Sequence, residues 1–119
     1  MVGSARRGEG SVGRTLSLPV RISDEADAEM IGAARWYESH RAGLGHEFLD
    51  AVDVVVTRIA ETPRVGSTVP GVVDTEIRRQ PVEKFPYHVV YLELPDHLRV
   101  LAVAHDRRRP GYWMGRLGI

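Results

Sequence analysis

The sequence predicts an α+β domain: an N-terminal strand, an antiparallel two-helix hairpin, three mostly antiparallel strands and a short C-terminal extension. Three observations carry that prediction. Between residues 24 and 61, apolar side chains recur at helical spacing. Beyond residue 72 they gather instead into β-branched and aromatic runs, and Gly and Pro separate the segments where the chain must turn.

Residues 1–17 include Gly3, Gly8, Gly10, Gly13, Ser4, Ser11 and Ser17 without any periodicity. They predict a disordered tail ahead of a single domain over 18–119. Leu18-Pro19-Val20-Arg21-Ile22 alternates like a short strand, and Pro19 restricts it to a sheet edge. Ser23 or Asp24 then caps a helix whose first turn carries Asp24, Glu25 and Asp27 at the positive end of the dipole. Ala26, Met30, Ala33 and Tyr37 define its apolar face, and Gly43 supplies the stop. A second helix begins after Gly45, places Phe48, Val52, Val55 and Ile59 on one stripe, and ends before Thr62-Pro63. Two such helices form a hairpin that needs a surface to cover.

The strands supply that surface. Residues 72–79 alternate weakly, and Pro81 and Pro86 bend the chain over 80–86. Runs 87–92 and 98–104 are apolar on nearly both faces, as central strands are, and flank Pro95-Asp96-His97.

Composition narrows the chemistry. At 119 residues and 43% hydrophobic, the chain suits one domain with its own core. The absence of cysteine excludes disulfides, thiolate-bound metals and thiol catalysis. Charges or prolines interrupt every apolar run before the roughly 18 residues a membrane helix needs. The basic N-terminus lacks the apolar stretch of a secretion signal, so a cytoplasmic location without membrane contact is expected. Net charge is zero, yet residues 1–61 carry seven basic and ten acidic side chains whereas 62–119 carry nine and six. An anionic partner is therefore expected at the C-terminal half.

A two-residue turn at Asp96-His97 would set His88 across from His105, on one face and just before Arg107-Arg108-Arg109. Arg78, Arg79 and Lys84 precede the same end, and Tyr112 and Trp113 follow it. Such a set could cleave RNA without a metal: His88 and His105 as acid and base, Arg forks on phosphate, an aromatic ring on an unpaired base. The same residues have a plain structural reading, as polar strand ends and a solvated charge run. His40 and His46, six apart across a turn, do not make a zinc site, so no metal is expected. Glu76 reads as a surface partner for Arg, and Trp36-Tyr37 as packing residues. Gly43-Leu44-Gly45 reads as a turn rather than a phosphate loop, and no cofactor is implied.

Ala34-Arg35-Trp36-Tyr37-Glu38, Gly43-Leu44-Gly45-His46-Glu47-Phe48 and Ile59-Ala60-Glu61-Thr62-Pro63 resemble the helical hairpin of the RelE/ParE toxin superfamily. Arg78-Arg79, Phe85-Pro86-Tyr87-His88-Val89-Val90-Tyr91 and the stretch from Val100 to Trp113 resemble its plasmid-stabilisation members. The resemblance covers roughly residues 18–117. It implies the toxin of a two-gene toxin–antitoxin pair, restrained by a cognate antitoxin. RelE-like members cut mRNA on the ribosome, whereas ParE-like members inhibit DNA gyrase. Carried over residue by residue, the RelE-like pattern retains its basic cluster as His105, Arg107 and Arg108 and its Tyr as Tyr112; together with His88, read from the residues themselves, His105, Arg107 and Tyr112 are the expected catalytic groups. Arg78, Arg79, Lys84, Arg108, Arg109 and Trp113 would bind RNA. His88 departs from that pattern, which has Arg there. The first reading is then ribosome-dependent mRNA cleavage, with gyrase inhibition without a catalytic site, or a degenerate member that only binds antitoxin, as the alternatives.

Overall fold

A computed structural model describes residues 17–72 and 75–117; residues 1–16 of the expected tail lie outside the described residues. Ser23 starts the first helix by accepting the Ala26 N–H at 3.2 Å on its hydroxyl, and α1 runs from Asp24 to His40. It ends one turn before Gly43, with Arg41 in an extended conformation. Gly43 instead adopts φ 88° as the residue preceding α2 (Leu44–Glu61), a backbone state open to glycine. At Gly45 the helices come so close that a Cβ there would collide with the Ala34 carbonyl. Glu38 fastens the turn by accepting the N–H groups of Gly43 and Gly45.

Among the described residues, five strands form one mixed sheet in the order β1-β5-β4-β3-β2. β1 (Val20–Ile22) lies parallel to β5 (Leu98–His105) at one edge. β4 (Tyr87–Glu93) and β3 (Ile77–Pro81) follow antiparallel. β2 (Ser67–Thr68) closes the other edge and has no counterpart in the sequence reading, being only two residues long. β3 extends to Pro81, later than the 72–79 expected; residues 73–74 of that span lie outside the described residues.

The helices cover one sheet face. Phe48, Val52, Val55 and Ile59 are buried, as their spacing predicts, against Val89, Tyr91, Leu98 and Val100. Tyr37 packs on Phe48 and Phe85, but its neighbour Trp36 is 58% exposed, which corrects the reading of Trp36 as a packing residue. The opposite face carries a second cluster of Ile77, Val90, Leu92, Leu101, Ala102 and Ala104, covered by Trp113 from the C-terminal segment. Central strands apolar on both sides are thus explained by cover on both sides.

The β4–β5 register differs from expectation. Glu93 pairs with Leu98, so four residues, not two, make the connection, closed by the Leu94 N–H on the His97 carbonyl at 2.8 Å. A two-residue displacement alone would preserve the faces. A bulge then places Val100 opposite Tyr91 but Ala102 opposite Val90, leaving Leu101 as the extra residue. The net displacement is odd, so His88 lies across from Ala104 and His105 across from Tyr87. The two imidazoles therefore occupy opposite faces of the sheet.

Candidate functional site at the C-terminal cleft

His88 projects to the second face, nearly buried, at the open end of the β4–β5 pair. Its Nδ1 lies 2.8 Å from Oδ1 of Asp106, the first residue beyond β5. An ionised carboxylate can only accept, so Nδ1 is the donor in this pair, and in the neutral ring Nε2 is then the acceptor. Around them is a cleft of about 70 Å³ lined by Arg79, Arg108, Arg109, Tyr112 and Gly111 among others. Arg79 reaches it because it pairs with Val90 in the face-defining register.

His105 also borders this cleft, at the end of β5, but lies on the other face of the sheet. Its ring meets Tyr87 edge-on, with centroids 5.0 Å apart, and its Nδ1 accepts the Arg107 N–H at 3.0 Å. The backbone bond fixes Nδ1 as an acceptor, so the proton of the neutral ring sits on Nε2. Arg107 and Arg109 are exposed beside it.

Tyr112 lies in the cleft wall, but its hydroxyl donates to Oε2 of Glu29 at 2.6 Å. Burial first, then that hydrogen bond, push the phenol well above its ordinary range, so it releases its proton poorly near neutral pH. Its ring supports the Arg108 guanidinium, 3.8 Å above the centroid. Trp113 is 3% exposed and packs in the second core cluster, which corrects its assignment as a stacking platform.

The other expected RNA-binding residues divide. Arg79, Arg108 and Arg109 converge on the cleft. Arg78 does not: it donates to the carbonyls of Gly66 and Arg64 and pairs with Glu76 at 2.6 Å, the partner expected for that carboxylate. Lys84 sits in the β3–β4 turn at φ 72° and borders a separate groove of about 590 Å³ against α2. Among the described residues no group of three His, Cys, Asp or Glu is placed to hold a metal ion, and no helix is long and apolar enough to cross a membrane.

Three participants were not legible in the sequence: Asp106, Glu29 and Arg116. Asp106 stands in view beside His105, yet its partner is known only once the bulge sets the register. Glu29 looks like one more exposed acid in a polar helix. It instead accepts Tyr112 Oη, the Arg116 guanidinium and the Val103 N–H, the last two at 2.9 and 3.0 Å. That pairing holds the Arg116 guanidinium more firmly protonated than usual.

Comparison with known proteins agrees with this architecture. A family model described as "ParE toxin of type II toxin-antitoxin system, parDE" matches residues 20–110. No curated protein matches. A solved structure titled "Chromosomal ParDE TA system from P. aeruginosa" superposes with a TM-score of 0.55 at 16% identity, covering 75% of this chain and 96% of that one. At that identity the likeness speaks for the fold, while the family match spans most of the domain. The chain belongs to the ParE toxin family of type II toxin–antitoxin systems, within the RelE/ParE superfamily.

Proposed function

We propose that this chain is a growth-arresting toxin that binds DNA gyrase and is restrained by an antitoxin made beside it. The observation that carries the choice of target is the separation of the acid/base groups. Cleavage by the 2′-hydroxyl needs a base and an acid on either side of one phosphate, each within hydrogen-bond reach. Here His88 and His105 both border the cleft but project from opposite sheet faces, and the Tyr112 hydroxyl is committed to Glu29. A toxin that works by occupying a protein surface needs no such convergence. It needs an exposed, charged and shaped edge, and the Arg107–Arg109 rim beside Arg79 supplies one. The same rim suits the acidic stretch of an antitoxin, which would neutralise it by charge. The partner implied by family membership is thus a protein whose binding competes with the target.

Purified gyrase with excess toxin tests the proposal. Supercoiling is expected to stop, with DNA breaks and an SOS response in cells. His88→Ala and His105→Ala are expected to leave the arrest in place. Normal supercoiling at saturating toxin would sink the gyrase assignment.

One observation favours a second reading. The His88–Asp106 pair is a carboxylate-oriented imidazole beside Arg79 and Arg108, so a single base next to phosphate-matching forks is available for mRNA cleavage. That reading expects fragmented transcripts on the ribosome and loss of toxicity in His88→Ala. Intact transcripts during arrest would remove it.

A further inference from the structure

β1 ends at Ile22, so it pairs with β5 only through Val100. Beyond that point the outer edge of β5 leaves the Leu101 carbonyl with only a long bond from the Ser23 hydroxyl, at 3.4 Å, and the Val103 N–H without a backbone partner. Side chains take over. Arg116 donates to the Leu101 carbonyl at 3.0 Å, and Glu29 accepts the Val103 N–H. Glu29 also accepts both Arg116 nitrogens, at 2.9 and 3.1 Å, and the Tyr112 hydroxyl. Arg99 adds a bond to the Arg116 carbonyl at 3.1 Å. One carboxylate on α1 thus fastens two residues of the C-terminal segment and a strand edge. Its charge is matched by Arg116, so its reach into the cleft is mechanical, through the ring of Tyr112 on which the Arg108 guanidinium rests.

We infer that Glu29 is a positioning residue for the basic rim: it fixes Tyr112, which in turn holds Arg108 over the cleft in its target-binding orientation. The inference rests on the reading above that this rim meets the target. A guanidinium on a free stem gives up rotamer freedom when it binds, and one already seated on an aromatic face gives up less. Glu29 itself, largely buried behind the segment, touches no target. Removing its carboxylate frees the ring and lets Arg108 swing, and affinity falls although no target contact has been deleted.

A double-mutant cycle on the full chain tests it, reading the toxin concentration that half-inhibits gyrase supercoiling. Arg108→Ala and Glu29→Gln are each expected to raise that concentration about tenfold, and the double variant no further than Arg108→Ala, because both remove one interaction. Effects that multiply, or Glu29→Gln at wild-type potency while Arg108→Ala is weakened, overturn the inference. Arg108→Ala at wild-type potency instead overturns the rim reading on which it rests. If wild-type chain leaves gyrase untouched, the intracellular toxin level that halts growth replaces supercoiling as the readout, with the same four variants and the same outcomes. Should Glu29→Gln not fold, Tyr112→Phe serves: it keeps the ring beneath Arg108 and deletes the bond to Glu29. A loss of a few fold that vanishes in the Arg108→Ala background is expected, and a loss that persists there counts against the inference.

Discussion

The two faces of the sheet are held by different physics. On the helix side, Phe48, Val52, Val55 and Ile59 bury hydrocarbon against Val89 and Val100, and the contact is spread over two long helices. On the cleft side a short segment closes the sheet, and it is anchored by Trp113 together with the polar knot of Glu29, Tyr112 and Arg116. Burial is additive and tolerant of direction, whereas the knot depends on each partner standing within hydrogen-bond distance of the others. The basic rim is built on the second, more exacting side.

Several substitutions would sharpen that contrast. The largest effect is expected from Phe48→Ala, which removes a fully buried ring at the meeting point of Tyr37, Phe85 and Tyr87. A loss of about 3–5 kcal/mol in chemical denaturation is expected, enough to unfold a marginal domain. Arg116→Ala comes next. It leaves the Glu29 carboxylate and the Leu101 carbonyl short of donors, and about 2 kcal/mol is expected to disappear. In a Trp36→Phe background its signature is a red shift of Trp113 emission, because the segment loosens while the hairpin stays; an unshifted spectrum would contradict the anchoring role.

Tyr91→Phe probes a polar tie on the helix face itself. The hydroxyl donates to the Pro63 carbonyl at 2.7 Å and accepts the Gly66 N–H at 3.0 Å. Its deletion is expected to cost about 1–2 kcal/mol without changing the growth arrest. The smallest effect concerns Glu38, whose carboxyl is held below its ordinary value of 4.5 by the Gly43 and then the Gly45 N–H groups. A depressed folded pKa means stabilisation present at neutral pH and lost as pH falls through that folded value. The melting-temperature gap between wild type and Glu38→Gln is therefore expected to close on acidification below the usual glutamate range. A gap that stays constant would show that the turn does not depend on the charge.

Most of the helix side could be read from the sequence, because period and burial are the same information there. The stripe on α2 is an example: four residues named by spacing are four buried residues. The cleft was legible only in its raw materials. Arg79, Arg108 and Arg109 were named and do meet, while Arg78 and Lys84 were named and are occupied elsewhere, and Trp113 borders the cleft only as a buried core residue. Nothing in the residues between 93 and 102 announces a longer turn followed by a bulge, yet that pair of irregularities puts the two imidazoles on opposite faces of the sheet.

By itself the sequence determined the order of the main elements (though not the two-residue β2), the hairpin, the core stripe and the family, since these rest on local periodicity and on ordered motifs. The tertiary structure alone decided the side chains' partners: His88 with Asp106, and Glu29 with groups more than seventy residues away. The physical reason is range. Apolar burial needs only the right face, which a period of 3.6 or 2 encodes along the chain. A hydrogen bond needs two atoms about 3 Å apart, and that distance is fixed by register, bulge and strand edge after the chain has folded.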